Sequence, residues 1–124
     1  MTQDYAEILK WYRKAAEQGY ARAQHNLGMM YRDGEGVPRD YAEALKWFSK
    51  AAVQGDARAQ ASLGIMYTIG SGVPQDYVLA LMWSNLAASQ ENEGAISLRE
   101  LVAGMMTFKQ FAEAQKLARE WKPK

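Results

Sequence analysis

Apolar residues recur at spacings of three and four along most of the chain, which is the pattern of amphipathic helices. The positions of one such stripe are Tyr41, Ala44, Leu45, Phe48, Ala51 and Ala52. No segment alternates between apolar and polar residues well enough to indicate a strand. The pattern therefore predicts an all-α fold. Its helices span about 4–18, 21–33, 40–54, 57–69, 76–90, 94–105 and 108–121.

Polar and turn-forming residues mark where these helices begin and end. Asp40 precedes Glu43 by three residues, as Asp4 precedes Glu7, and this spacing resembles a capping box. Thr107 and Gln110 form a similar start before the last helix. Between the helical pairs lie the Gly-x-Gly-Val-Pro segments 34–38 and 70–74. Because glycine permits positive φ and proline stops a helix, these segments predict turns of defined shape.

The chain is built from an internal repeat of 36 residues. Residues 4–39 and 40–75 share 24 identities in 36 positions, and Trp11, Trp47 and Trp83 align in the same register. We therefore predict a single domain over residues 1–124, with units at about 4–39, 40–75 and 76–106 and a capping helix over about 107–121. One helical pair is too small to be stable alone, so stacked units must supply the core.

Two glycines lie inside predicted helices at equivalent positions of the repeat. Gly28 and Gly64 each cost up to about 1 kcal/mol relative to alanine, so a close contact should compensate. We expect a neighbouring helix to approach there, with Tyr31 or Trp47 filling the space of the missing Cβ. The methionines and aromatic residues at helical spacing are predicted to form the core.

The repeated residues resemble a known family. Ala-x-Ala-Gln-x-x-Leu-Gly-x-Met-Tyr-x-x-Gly-x-Gly-Val-Pro-x-Asp-Tyr occurs from Ala21 and again from Ala57. This pattern closely resembles the Sel-one-like repeat family, which is related to tetratricopeptide repeats. The resemblance implies a right-handed superhelical α/α solenoid that acts as a non-enzymatic protein-interaction scaffold. The third unit departs from the pattern, since Arg99 and Glu100 replace the Leu-Gly pair and the Gly-Val-Pro loop is absent.

Composition excludes several classes of function. The chain has 15 basic and 14 acidic residues, one histidine and no cysteine. A balanced net charge argues against a nucleic-acid binder, whose affinity rests on phosphate neutralisation. Without cysteine there is no disulfide or thiolate zinc site, and one histidine cannot form a histidine metal cluster. We expect no cofactor and no metal.

The sequence also bears on membranes and location. No apolar stretch approaches the roughly 18 residues that span a bilayer, so we expect no membrane insertion. The charged residues near the amino end do not resemble a signal peptide. The location stays open: the sequence as written indicates a cytoplasmic protein, and removal of a signal peptide would make it periplasmic or secreted.

A candidate binding surface lies on the second helix of each unit, on the side away from Leu27 and Tyr31. In the resembled family this side lines a concave groove. Arg22 and Arg58 are expected to clamp a carboxylate, and Asn26 to hydrogen-bond an extended peptide backbone. Apolar members are expected to hold apolar side chains of a peptide or protein partner. The predicted binding residues are Arg22, His25, Asn26, Met29, Arg32, Arg58, Ser62, Ile65 and Ile69.

Two other functions remain as alternatives. The chain can be a structural spacer of a larger repeat protein, with a surface that binds nothing. It can also be a hydrolase of cell-wall or β-lactam substrates, which requires a reactive group that only His25 offers; we expect that histidine to lie exposed or at a rim without a catalytic role. The first helix is a further candidate, since Ile8 adds apolar area at that edge, which favours self-association or indicates excision from a longer protein.

Overall fold

A computed structural model describes residues 4–124 of the protein. This range is all-α and forms seven helices without strands, as predicted. The predicted starts at Asp4, Asp40 and Asp76 are N-cap residues one position before each helix. The helices are α1 (Tyr5–Glu17), α2 (Ala21–Asp33), α3 (Tyr41–Ala52), α4 (Ala57–Ile69), α5 (Tyr77–Ala88), α6 (Glu93–Ala103) and α7 (Phe108–Glu120).

Side-chain caps define where most of these helices begin. The Asp40 carboxylate accepts a hydrogen bond from the Glu43 backbone N–H at 3.0 Å. A complete capping box has a second hydrogen bond, from the backbone N–H of the cap residue to the side chain three residues later. Within residues 4–124 this second bond forms only from Thr107 to Gln110. The Glu43 side chain instead pairs with Lys46 at 3.6 Å, so the predicted box is half formed there. Each such cap satisfies a backbone donor that the helix leaves free.

The two glycine-rich loops have the predicted left-handed backbone and also pack tightly. Gly36 has a φ of 78°, and a Cβ there would lie 2.7 Å from the Cβ of Tyr5. Gly72 has a φ of 74°, and a Cβ there would lie 2.9 Å from the Cβ of Tyr41. Each loop thus folds back onto the first helix of its own unit, and only glycine fits both the conformation and the space.

Successive helices stack into one layered array with a continuous core. The most extensive contacts join α2 to α3 and α4 to α5, and further contacts link α1 to α2, α3 to α4 and α5 to α6. Phe48, Leu27, Leu63 and Leu81 are fully buried between these layers. Because each layer covers the apolar face of the next, the core extends along the array without belonging to any single pair.

The glycines inside α2 and α4 permit close helix packing, but the neighbours differ from those predicted. A Cβ on Gly28 would lie 2.7 Å from Cδ1 of Phe48, and one on Gly64 would lie 2.6 Å from Oγ of Ser84. The expectation that Tyr31 or Trp47 fills this space is wrong. Phe48 and Ser84 occupy equivalent positions of the following helix, and the direction of its side chains decides which residue meets the glycine.

Buried glutamines join the layers by hydrogen bonds. Gln24 donates through Nε2 to the carbonyl oxygen of Ala16 at 3.1 Å, and its Oε1 accepts from Nε2 of Gln54 at 2.8 Å. The same two bonds recur one repeat later through Gln60, Ala52 and Gln90. We call these bonds the glutamine ladder. They satisfy polar groups that the stacking removes from water.

The last helix closes the array in a different way from the earlier pairs. The link between α6 and α7 has four residues, 104–107, whereas α4 and α5 are joined by the seven residues 70–76. The helix α7 packs mainly against α5 and has few close approaches to α6. Trp121 follows α7 and meets the Trp83 ring edge-on at a centroid distance of 6.0 Å. This helix therefore covers a side of α5 that would otherwise be exposed, and it caps the core.

Not every aromatic or methionine residue belongs to the core, which corrects the prediction. Phe108 is 87% exposed at the start of α7, and Trp11 is 58% exposed. Both lie at the ends of the array, where the described residues supply no further layer to cover them. Helical spacing identifies an apolar stripe, but burial requires a neighbouring element.

Candidate functional site

The second helices α2, α4 and α6 present a row of apolar side chains at equivalent positions of the repeat, exposed on α4 and α6 and half-buried on α2. Met29, Ile65 and Leu101 are separated by one period each. Met29 is half-buried, whereas Ile65 is 45% and Leu101 is 61% exposed. One turn further on, Ile69 and Met105 also lie exposed. We call this row, with the polar residues Arg22, Asn26, Arg32 and Arg58 beside it, the second-helix face.

Sequence reasoning missed two members of this face. Leu101 and Met105 belong to the third unit, whose altered Leu-Gly pair and missing loop hide the repeat. The repeat period predicts both of them, because Leu101 and Met105 lie 36 residues after Ile65 and Ile69. The structure thus extends the apolar row from two helices to three.

The basic residues of the face differ in their electrostatic state. Arg32 forms two hydrogen bonds to the Asp33 carboxylate, at 2.9 and 3.2 Å, so its charge is largely neutralised. Within residues 4–124 the other ion pair joins Lys46 and Glu43, which leaves Arg22 and Arg58 without a carboxylate partner. Both are exposed near the starts of α2 and α4. Two unpaired guanidinium groups can bind a carboxylate.

Two predicted members, His25 and Ser62, lie inside the array. His25 is 6% exposed, and its ring centroid lies 5.5 Å from that of Phe48. Ser62 is 8% exposed. The expectation of an exposed or rim histidine is therefore wrong, because α3 packs over that side of α2. Asn26 and Met29 are half-buried at the boundary of the same face.

The buried histidine has an unusual electrostatic setting. Burial lowers the pKa of His25 below its ordinary value of 6.5; Asp56 raises it and Arg58 lowers it further. Its Nδ1 has no hydrogen-bond partner within the described part of the chain. Burial withdraws a protonated ring from water, and this cost exceeds the attraction of Asp56, so the neutral form is favoured.

A shallow depression of about 250 Å³ marks the carboxyl-terminal end of the second-helix face. Its lining comes from the end of α2, the loop that follows, the start of α3 and the last turns of α4. Apolar Ile65 and Ile69 share it with the charged residues Arg32 and Arg39. The depression can hold one apolar side chain that is flanked by polar groups.

Residues 4–124 contain neither a cluster of metal-binding side chains nor a membrane-spanning helix. No group of three or more histidine, cysteine, aspartate or glutamate side chains lies close enough to hold a metal ion. None of the seven helices there has both the length and the apolar character that a membrane span requires.

A second exposed surface lies at the amino-terminal edge of the array. Trp11 is 58% exposed, whereas its equivalents Trp47 and Trp83 are 4% and 9% exposed. Trp11 lines a hollow of about 530 Å³, together with Tyr20, which is 63% exposed. Ile8 is half-buried, so these two aromatic side chains supply more of the apolar area there than that residue.

Stacked helical pairs that share one core define this molecule as an α-solenoid protein. The sequence profile of the Sel1 repeat family matches residues 1–20, 21–56 and 57–92. The chain belongs to the Sel1 repeat family. The matches over 21–56 and 57–92 begin at the second helices and pair α2 with α3 and α4 with α5, which are the most extensive helix contacts among the described residues.

Solved structures show the same fold. A protective antigen of uropathogenic Escherichia coli strains with an SLR fold superposes with a TM-score of 0.91 and is 37% identical, over 94% of this chain and 25% of its own. A Sel1 repeat protein from Oxalobacter formigenes gives a TM-score of 0.77 at 38% identity, over 82% of this chain and 42% of its own. The fold is the right-handed superhelical solenoid of this family.

Curated relatives share a shorter segment. The DAP3-binding cell death enhancer 1 proteins of Rattus norvegicus and Mus musculus are each 42% identical over 38 residues, which is 31% of this chain and 8% of their own length. Sel1 repeat proteins are helical-repeat scaffolds that generally mediate interactions between proteins.

Proposed function

We propose that this protein is a non-enzymatic adaptor that binds an extended peptide segment of another protein along the second-helix face. The observation that carries this proposal is the apolar row at equivalent positions of α2, α4 and α6, in which Met29 is half-buried and Ile65 and Leu101 are exposed. Exposed apolar side chains that adjoin one another mark interaction surfaces on water-soluble domains. As part of this proposal, we assign the second-helix face to the concave side of the superhelix.

The spacing of the row specifies the peptide. Helices that pack against each other lie about 8–10 Å apart, and α4 contacts α6 directly. A polyproline II segment advances about 9.3 Å in three residues. An extended peptide that crosses the helices therefore matches the row with an apolar side chain at every third position.

The charges specify a second property of the peptide. Arg22 and Arg58 lie on the same side of the apolar row and have no carboxylate partner within the described residues. An acidic residue beside the apolar positions can form charge-assisted hydrogen bonds with these guanidinium groups. The half-buried Asn26 can hydrogen-bond the peptide backbone between them.

The test uses synthetic nonapeptides with leucine at every third position and either aspartate or asparagine between. Binding is measured by fluorescence anisotropy of labelled peptide. The aspartate peptide is expected to bind best, and Ile65→Gln with Leu101→Gln should weaken it about tenfold or more. Arg22→Ala with Arg58→Ala should remove its advantage over the asparagine peptide.

The same titrations distinguish the alternatives. A spacer predicts that no peptide of the set binds, and that result contradicts the adaptor proposal. Equal binding by wild type and the Arg22/Arg58 double variant removes the carboxylate clamp. Hydrolysis is disfavoured because His25, the residue on which it depends, is buried against Phe48; turnover of peptidoglycan fragments or β-lactams by the wild type, lost in His25→Ala, would reverse that conclusion.

A further inference from the structure

A cleft of about 530 Å³ opens between α5, α6 and α7, away from the second-helix face. Its walls include Leu86, Phe111 and Ala103, with Arg99 and Arg119 beside them. Arg99 and Leu101 are two positions apart on α6, so their side chains leave the helix about 200° apart. The cleft is therefore a separate surface from the apolar row that contains Leu101.

The cleft exists because the third unit departs from the repeat. In the first two units the Leu-Gly pair, such as Leu63 and Gly64, lets the following helix pack closely. Arg99 and Glu100 stand at those positions in α6, and a long charged side chain there forbids the same approach. The shorter link 104–107 also brings α7 onto α5. The side of α6 that a partner helix would cover is thus left open.

The charges in the cleft are unbalanced. Among residues 4–124 the ion pairs are Arg32–Asp33 and Lys46–Glu43, so Arg99 and Arg119 have no carboxylate partner. Arg99 is half-buried, which strengthens its attraction for an anion relative to that of a fully solvated arginine. Glu100 also lines the cleft and opposes an anion. Two guanidinium groups against one carboxylate leave a net positive site with an apolar wall.

We infer that this cleft binds an anionic peptide segment, with an apolar side chain against Leu86 and Phe111 and a neighbouring carboxylate on Arg99 and Arg119. The cleft is open to solvent along one side and does not enclose a free small ligand. Asn85 and Gln115 lie on its walls, and their amide groups can donate to and accept from a peptide backbone. These groups favour a peptide over a free carboxylic acid.

The experiment follows backbone and arginine side-chain NMR signals of the full chain during titration. The probe is the acetylated, amidated pentapeptide Gly-Asp-Phe-Asp-Gly, and the matched probe replaces both aspartates with asparagine. The aspartate peptide is expected to shift the signals of Arg99, Arg119 and Phe111 and to bind about tenfold more tightly than the asparagine peptide. N-acetylphenylalanine as its free acid tests a small ligand of the same chemistry.

Variants separate the cleft from the second-helix face. Arg119→Gln changes an exposed residue and should remove most of the preference for aspartate, as should Arg99→Gln. Glu100→Gln should tighten binding several-fold, because it removes the opposing charge. Lys10→Gln is the control and should leave pentapeptide binding unchanged, since it removes an exposed positive charge on α1 that belongs to neither surface.

Several results would overturn the inference. These are equal binding of the aspartate and asparagine peptides, signal changes confined to α2 and α4, an unchanged preference in Arg119→Gln, or free N-acetylphenylalanine bound as tightly as the pentapeptide. The nonapeptide of the adaptor test should still bind Arg119→Gln normally. A negative result for the cleft therefore leaves the adaptor proposal standing, and a negative result for the second-helix face leaves the cleft proposal standing.

Discussion

At the scale of single residues, glycines, which have no Cβ, decide how closely the helices approach. Gly28 lies in the middle of α2, where the Phe48 ring occupies the space of a Cβ. The ring is rigid and belongs to a fully buried side chain, so it has little room to shift. Helix propensity alone favours alanine at this position, and packing opposes it.

We expect Gly28→Ala to lower the free energy of unfolding by about 1–2 kcal/mol, because overpacking exceeds the gain in helix propensity. Urea denaturation monitored by circular dichroism measures the change. Gly94→Ala is the control, since the nearest atom to its new Cβ is Oδ1 of Asn92 at 3.5 Å. That variant should be as stable as the wild type or more so. A Gly28→Ala protein of unchanged stability would contradict the packing argument.

The buried His25 makes stability depend on pH. Its pKa is lowered in the folded state by burial, whereas the unfolded chain binds a proton near the ordinary value of 6.5. The unfolded state therefore binds more protons below that pH. The stabilisation of the folded form is present above 6.5 and is lost as the pH falls toward the lowered pKa.

We expect the free energy of unfolding of the wild type to fall as the pH is lowered from about 8 to 5.5, above the range where most carboxylates titrate. Urea denaturation at each pH measures it. In His25→Ala, which introduces the residue found at the equivalent Ala61, this fall should be much smaller. Parallel pH profiles for the two proteins would show that His25 does not cause the effect.

At the scale of elements, the glutamine ladder couples one layer to the next. Gln54 donates to the buried Oε1 of Gln24 and also to the carbonyl oxygen of Lys50. Gln18 occupies the same position of the first unit, and its side chain makes no hydrogen bond within residues 4–124. The repeat thus offers one glutamine with the ladder bond and one without it.

We expect Gln54→Ala to lower the free energy of unfolding by about 1–2 kcal/mol, because Gln24 loses its donor in a buried position. Thermal or urea unfolding measures the loss. Gln18→Ala is the matched control and should change stability by less than about 0.5 kcal/mol. Equal losses in the two variants would mean that the effect arises within each helix and not from the ladder.

Element boundaries were predictable because their causes are local. The cap at Asp76 and the left-handed Gly70 act on residues a few positions away, and the structure places both as the sequence indicates. The side of a helix that becomes buried is less predictable. Trp11 and Trp47 have similar local sequences, yet Trp11 is 58% exposed and Trp47, packed with Leu27 of α2, is 4% exposed.

At the scale of the whole molecule, the exposed amino-terminal edge bears on assembly. Self-association through the first helix stays a prediction, and we now expect Trp11 and Tyr20 to contribute more than Ile8. The apolar hollow beside Trp11 can accept the same edge of a second copy.

The average mass from light scattering is expected to rise above 13.9 kDa with increasing concentration, because two such edges bury each other. Trp11→Gln should restore the monomer mass. Phe108→Gln changes an exposed aromatic residue at the other end of the array and should leave the association unchanged. A mass of 13.9 kDa at every concentration of the wild type would contradict the prediction.

The sequence by itself determined the period, the helices, the turns and the family, because the spacing of apolar residues, caps and glycines acts over a few positions and repeats in register. It also placed Ile65 and Ile69 on an exposed face. Only the tertiary structure decided that His25 is buried, that Phe48 meets Gly28, and that α7 leaves a cleft beside Arg99. These outcomes depend on which neighbouring helix covers each side chain, and the contacts within one helix do not contain that information.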